Sequence, residues 1–151
     1  MAGDVFIGSD HAGFGLKKAL VAFLAEKGYT VHDAGPHSYD KDDDYPDYAS
    51  KTCRMLLKRN GRGILICGSG QGMVRAANKI RGIGAALCWN ERSAEAARLH
   101  GDTNVLCMGS DFMSERLAFR IAETWLKTGF SGEARHVRRI KKIKGLEWRS
   151  G

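Results

Sequence analysis

Short apolar runs alternate along the chain with longer segments in which apolar residues recur every three or four positions. This alternation is typical of a parallel β-sheet covered by helices on both faces, so we predict an α/β fold. The predicted strands are 5–8, 30–33, 63–67, 83–87 and 104–108. Helices are predicted between the strands, and a last helix from about 133 to 148 is interrupted or ended by Gly145.

Length and composition indicate one globular domain, 1–151, because a chain of 151 residues can bury a single hydrophobic core. No stretch is apolar enough to cross a bilayer, and the chain does not begin with a basic segment followed by a long apolar run. We therefore expect a cytosolic protein with no membrane partner. The four cysteines show no CxxC spacing and are expected to be reduced thiols.

Positive charge is concentrated near the C-terminus. The net charge of the chain is +7, and the segment 135–149 carries six of these charges, with seven basic residues against one acid. This basic helix, 133–149 at its widest, could bind nucleic acid, attract a phosphorylated substrate or form a solvated face. Val137, Ile140 and Ile143 on the same helix favour packing at a subunit interface, so we expect no nucleic-acid partner.

Ligands of parallel α/β sheets bind beyond the carboxyl ends of the strands. The residues that follow the first three predicted strands are Asp10, His11, Tyr45 and the segment 67–72. We also place His100, which leads into the fifth strand, at this edge, so that two histidines would lie near Cys67. A metal site is disfavoured, because Asp10 and His11 are sequence neighbours with no other close-spaced ligands.

A glycine-rich loop is the sharpest local signal. In ILICGSGQGMVRAANK, an apolar strand and a helix are joined through Gly68, Gly70 and Gly72. The glycines allow the loop amides to face an anionic group beside a helix N-terminus. The run does not match the dinucleotide fingerprint GxGxxG, because Met73 stands where the last glycine is needed, and it does not match a Walker A loop.

Cys67 stands at the entrance to this loop. A thiol beside a helix N-terminus is stabilised as the thiolate, and Ser69 is close enough in sequence to hydrogen-bond it. Cys67 is therefore a candidate base or nucleophile. The other cysteines, Cys53, Cys88 and Cys107, are expected to be ordinary buried thiols.

Five segments, in this order and spacing, resemble the ribose-5-phosphate isomerase B family, which includes galactose-6-phosphate and allose-6-phosphate isomerases. They are IGSDHAGFGLKK, DYPDYA, ILICGSGQGMVRAANKIRGIGAALC, HGDTNVL and RHVRRIKKI. The resemblance covers nearly the whole chain. It implies a Rossmann-like three-layer α/β/α sandwich with a five-stranded parallel sheet. It also implies a homodimer or homotetramer with shared active sites, in which the C-terminal helix extends to a neighbouring subunit.

The same resemblance assigns expected roles to residues of this chain. Cys67 would be the catalytic base, with Ser69 beside it, and His100 would help to open the sugar ring. Arg135 and Arg139 would bind the phosphate from the neighbouring subunit. The expected substrate contacts are Asp10, His11, Tyr45, Gly68, Gly70, Gln71 and Gly72. A branch of the family uses Glu as the base, but Met73 occupies that place here.

The chemistry agrees with this assignment. An aldose becomes a ketose by moving a proton between adjacent carbons through an enediolate, which requires a base, oxyanion donors and a phosphate clamp. Cys67, the loop amides and the pair Arg135 and Arg139, four residues apart on a helix, supply them. We therefore predict interconversion of ribose 5-phosphate and ribulose 5-phosphate without an organic cofactor or a metal. The alternatives are isomerisation of a six-carbon sugar phosphate and non-catalytic binding of phosphate or nucleic acid.

Two positions depart from the family's pattern. Gly101 stands where an Asn commonly follows the ring-opening histidine, and Asp111 stands where a phosphate-binding Arg is common. A carboxylate at position 111 would repel phosphate. Arg75 either compensates for this change or is a surface helix residue.

Overall fold

The computed structural model describes residues 3–147. Its centre is a five-stranded parallel sheet in the order β2-β1-β3-β5-β4, as the alternating pattern predicts. The strands are β1 Asp4–Ser9, β2 Thr30–Gly35, β3 Arg62–Cys67, β4 Ala85–Leu87 and β5 Val105–Gly109. The helices are α1 Phe14–Glu26, α2 Tyr45–Arg59, α3 Gln71–Ala77, α4 Glu91–Leu99, α5 Glu115–Lys127 and α6 Ala134–Lys144, with a 3₁₀ turn at Ser110–Phe112.

Alternating side chains of the strands supply two hydrophobic cores, one on each face of the sheet. Ile64 and Ile66 of β3 face α1, α4 and α5, where Trp125 is fully buried. Leu65 and Cys67 of the same strand face α2 and α3. The result is the expected three-layer α/β/α sandwich, with Cys67 on the α2 and α3 side.

Two elements are shorter than the sequence pattern predicts. The fourth strand begins at Ala85, where the side chain of Asn78, the residue after α3, exchanges two hydrogen bonds with the Ala85 backbone, at 2.8 and 3.0 Å. The last helix ends at Lys144, so of the two predicted effects of Gly145, interrupting the helix or ending it, the structure shows the second. Trp148 and Arg149, which fall in the predicted range, lie outside the described residues.

The strand order reverses direction at β1, since the chain moves outward to β2 and then returns to the other side of β1 with β3. A crevice forms beyond the carboxyl ends of the strands at such a reversal, and the loops after β1 and β3 border it. Within residues 3–147, no helix is both long and apolar enough to span a membrane.

Candidate active site

The loops after β1, β3 and β5 are tied together at the reversal point. The Asp10 amide donates to the Ile66 carbonyl at 3.2 Å, which joins the end of β1 to β3. The Ser110 hydroxyl donates to the Ala12 and Cys67 carbonyls at 3.0 and 3.2 Å. The segment 67–72 therefore lies between two anchored loops.

Cys67 ends β3, and its sulfur accepts a hydrogen bond from the Gly70 amide at 3.2 Å. Gly70 has a φ of +78°, and a methyl group there would lie 2.5 Å from Leu87 and 2.9 Å from the Met108 backbone. Only glycine fits this turn without strain, so the turn that aims an amide at the sulfur depends on residue 70. A thiolate accepts such a hydrogen bond more strongly than a thiol does.

Ser69 does not make the hydrogen bond to Cys67 that the sequence led us to expect. Among the described residues, the Ser69 hydroxyl accepts from the Gln71 amide at 3.3 Å, and the donor to the Cys67 sulfur is the Gly70 amide. The reason is local: a serine side chain bonds readily to the amide two residues ahead in a turn. Ser69 thus helps to order the loop.

The other three cysteines are buried, and among the described residues none of them accepts a hydrogen bond from a backbone amide. Burial raises the pKa of Cys53 to about 12 and that of Cys88 to about 11. Burial also raises the pKa of Cys107 well above its ordinary value. These three groups remain thiols at neutral pH, which agrees with their expected role as ordinary core residues.

Tyr45 begins α2, and its ring lies against the glycine loop at Gly72. A methyl group at Gly72 would lie 2.4 Å from the Tyr45 ring, so the close approach requires glycine at position 72. Tyr45 is preceded by Asp44 in extended conformation and followed by Pro46, a residue suited to the first turn of a helix. The tyrosine therefore forms one wall beside the loop.

Asp10 and His11 follow β1 and are each held by a defined partner. A carboxylate oxygen of Asp10, whose side chain is buried, accepts from the Gly13 amide at 3.1 Å. Asp43 accepts hydrogen bonds from the His11 amide at 2.9 Å and from Nδ1 of its ring at 2.7 Å. The hydrogen bond to Asp43, with the nearby charge of Asp10, raises the pKa of His11.

Asp43 is a residue that the sequence reasoning missed. The acidic run at 40–44 drew attention to its loop, but four aspartates in five residues gave no means of choosing one. Asp10, His11 and Asp43 bring one ligand-type atom each within 4.8 Å of one another, a spacing that could hold a cation. Because Nδ1 of His11 is committed to Asp43, the geometry is that of a hydrogen-bonded pair, and we assign no metal to it.

Asp111 places a carboxylate at the mouth of the loop. Its amide donates to the Gly68 carbonyl at 3.0 Å, and a methyl group at Gly68 would lie 2.9 Å from its carboxylate oxygen. Arg75, the residue considered as compensation, is exposed on α3. The negative charge of Asp111 thus lies beside the amides that would bind an anionic oxygen.

His100 lies at the opposite edge of the sheet, so its expected position beside Cys67 is wrong. Cys67 is level with Gly109, the last residue of β5, whereas His100 precedes β5 and caps the end of α4. The Asn104 amide, just before β5, donates to the Gly84 carbonyl at the start of β4. The four residue steps of β5 alone span about 13 Å. The physical reason is that a helix following a parallel strand runs back to the amino edge.

Arg135 and Arg139 group with His100 and not with Cys67. Both arginines are exposed on α6, and His136 between them packs its ring 4.7 Å from the His100 ring. Burial and the positive charge of the two arginines lower the pKa of His136. The expected site residues of one chain therefore form two separate groups, a thiol and glycine loop at the carboxyl edge and a histidine with two arginines at the amino edge.

Known proteins share this fold and sequence over nearly the whole chain. The Ribose/Galactose Isomerase family model matches residues 5–143. Ribose-5-phosphate isomerase B of Escherichia coli (strain K12) is 43% identical over 148 residues, 96% of this chain and 97% of the relative. The type B ribose 5-phosphate isomerase of Trypanosoma brucei superposes with a TM-score of 0.92, at 43% identity, covering 97% of this chain and 100% of that one.

A further solved structure contains a ligand. It is ribose-5-phosphate isomerase B from Mycoplasma genitalium with bound ribulose-5-phosphate, with a TM-score of 0.93 and 42% identity over 99% of each chain. The extent and identity of these matches, together with the glycine loop, assign the chain to one family. This chain belongs to the ribose/galactose isomerase family.

Proposed function

We propose that this protein is an aldose–ketose isomerase that interconverts D-ribose 5-phosphate and D-ribulose 5-phosphate. One observation carries the proposal: the Cys67 sulfur accepts an amide hydrogen bond inside a glycine loop, at the point where the sheet reverses. A base next to oxyanion donors is the arrangement that enediolate chemistry requires. Relatives covering nearly all of this chain are named ribose-5-phosphate isomerases B, which supports the choice of substrate.

In the proposed reaction, the Cys67 thiolate removes the proton from C2 of the open-chain aldose. The electron pair of the broken C–H bond forms the C1–C2 double bond, and the C1 carbonyl oxygen becomes an enediolate oxygen. Amides of the loop segment 68–72 that are not already bonded to Cys67 or Ser69 stabilise that oxygen. Cys67 then returns the proton to C1 while the C2 hydroxyl proton moves to O1, which yields the ketose.

Three other side chains at the carboxyl edge form the proposed binding surface for the sugar. Asp10 and His11 follow β1, and Tyr45 packs on the glycine loop. Ser69 is assigned to the catalytic group through its bond to the loop amide of Gln71. The anchoring of the loop after β1 to β3, and the close approach of Tyr45 to Gly72, support this assignment.

The ring-opening and phosphate-binding groups are proposed to come from a second copy of the chain. His100, Arg135 and Arg139 lie at the amino edge, too far from Cys67 to serve the same site within one subunit. The carboxyl edge carries acidic groups such as Asp43 and Asp111, and α6 carries basic groups, so the two edges are complementary in charge. We therefore propose a homodimer, or a homotetramer built from it, in which α6 extends to the neighbour and completes its site.

A turnover panel with the purified protein tests the proposed activity. Ribose 5-phosphate, allose 6-phosphate and galactose 6-phosphate are supplied separately, and ketose formation is followed over time. We expect kcat/KM to be highest for ribose 5-phosphate. A preference for either six-carbon substrate would reassign the chain within its family, and no turnover of any of the three would contradict the proposal.

Asp111 is expected to weaken phosphate binding. Replacing Asp111 with asparagine removes a negative charge beside the loop, so KM for ribose 5-phosphate should fall by about three- to tenfold, with kcat little changed. The fall should shrink as salt screens the charge. Steady-state kinetics at low and high salt measure both effects.

Glu115→Gln serves as the matched control for Asp111→Asn, because Glu115 is an exposed acid at the start of α5, four residues further along. It should leave KM unchanged. An increase in KM for Asp111→Asn would show that the carboxylate binds the substrate instead of repelling it.

A further inference from the structure

His11 is bound twice by one oxygen of Asp43. The backbone amide of His11 donates to Oδ1 at 2.9 Å, and Nδ1 of the ring lies 2.7 Å from the same oxygen. An ionised carboxylate only accepts hydrogen bonds, so Nδ1 carries a proton in this pair. The two bonds fix both the backbone and the ring of His11, across 32 residues of sequence.

The charge of Asp43 is directed at the His11 ring. The Asp43 side chain is 6% exposed, and its ion-pair partner among residues 3–147 is His11. Its second oxygen, Oδ2, is buried and has no hydrogen-bond partner within the part of the chain that the structure describes. Because the negative charge of this carboxylate is paired with His11, it favours a positive charge on the His11 ring.

A second carboxylate near the ring acts in the same direction as Asp43. Asp10, the preceding residue, adds a second negative charge, and the Tyr39 ring lies edge-on at 6.3 Å. Together the two carboxylates raise the pKa of His11, with the hydrogen bond to Asp43 as the largest cause and partial burial opposing it. The ring therefore keeps its second proton, on Nε2, to a higher pH than a solvated histidine does.

The His11 ring is also placed to meet a ligand. It follows β1 at the reversal of the sheet, and its neighbour Asp10 is bonded to β3 one residue before Cys67. The His11 side chain is 34% exposed, so the ring is accessible while Nδ1 is committed to Asp43. A cationic N–H donor beside the loop would bind an anionic oxygen well.

We propose that Asp43 is a positioning residue for substrate binding: it orients the His11 ring and holds it as an imidazolium whose Nε2 proton is offered to an anionic oxygen of the substrate. The identity of that substrate as a sugar phosphate rests on the proposed function. Asp43 itself does not touch the substrate. It acts through His11. Asp111 adds a further negative charge at the same edge of the sheet.

The sign of the pH effect follows from the direction of the shift. A raised pKa keeps His11 protonated at pH values where an unassisted imidazole has lost its proton, and the binding contribution disappears as pH rises through the raised pKa. Asp43→Asn keeps an oxygen acceptor but removes the charge. In this variant, the contribution of protonated His11 to binding should therefore disappear at a lower pH than in the wild type.

NMR titration of the histidine rings tests the proposal without requiring any turnover. The His11 signal is assigned by its absence in His11→Asn, and its midpoint is measured with and without inorganic phosphate as the anionic probe. In Asp43→Asn the midpoint should fall by about one pH unit, and Asp43→Glu should restore it. Asp42→Asn is the matched control, because Asp42 is an exposed neighbour paired with Lys41, and it should leave the midpoint unchanged.

Kinetics provide the second measurement. The KM of Asp43→Asn for ribose 5-phosphate should equal that of the wild type well below both midpoints, exceed it by up to about tenfold between them, and approach it again well above both, with kcat unchanged. An unchanged His11 midpoint in Asp43→Asn would overturn the proposal. A rise in KM that is the same at every pH, or phosphate that leaves the wild-type midpoint unmoved, would overturn it as well.

Failure of the proposed function gives a different result. In that case the wild-type protein does not convert ribose 5-phosphate, while the His11 midpoint still falls in Asp43→Asn and still rises with phosphate. Such a result keeps the positioning role of Asp43 toward an anion and rejects the sugar phosphate as its natural ligand. Circular dichroism of Asp43→Asn confirms that each comparison uses folded protein.

Discussion

Replacing Cys67 with alanine should lower kcat for ribose 5-phosphate isomerisation by about 100- to 10000-fold, the usual contribution of a positioned base. The sulfur is the group that the Gly70 amide contacts, and the other cysteines are held as thiols by burial. Because the alanine variant keeps the glycine loop, KM should change little. Steady-state kinetics of purified wild type and variant measure the two parameters separately.

The control for this experiment is Cys53→Ala, which removes a buried thiol from α2 and leaves the glycine loop intact. It should retain wild-type kcat while losing some thermal stability, because a buried side chain is truncated. If Cys67→Ala turned over at the wild-type rate, another group would have to be the base, and the mechanism proposed for this loop would be abandoned.

Mixing two inactive variants should restore activity. When Cys67→Ala and His100→Gln subunits are combined and allowed to exchange, half of the dimers contain one of each. Such a dimer has one site with both the wild-type thiol and the wild-type histidine, so the mixture should recover about a quarter of wild-type activity. The physical basis is that Cys67 and His100 lie at opposite edges of the sheet within a chain.

A second pairing controls for the first. Cys67→Ala and His11→Gln both alter the carboxyl edge, so no combination of the two subunits contains an intact site, and mixing them should give no gain. Turnover of each mixture is compared with the mean of its two separate variants after dissociation and reassembly. Absence of any gain from the first pair, with exchange confirmed by mass, would exclude sites shared between the two edges.

The strands, helices and glycine loop were predictable because they depend on local rules. Alternation of apolar residues decides the face of a strand, and the turn after β3 needs positive φ at Gly70, which only glycine adopts easily. The position of His100 was also predictable in principle. A helix between parallel strands must return to the amino edge, and the expectation that His100 lies beside Cys67 overlooked that reversal.

The sequence by itself determined the elements, the order of the motifs and the thiol at the entrance to the loop, because these depend on residues close together in the chain. Only the tertiary structure decided which aspartate of the run 40–44 binds His11, and that the Asp111 carboxylate lies against Gly68. It also decided how far burial raises the pKa of Cys53, Cys88 and Cys107. Each of these facts is a contact or an environment made by segments distant in sequence, and hydrophobic periodicity carries no information on which loops meet.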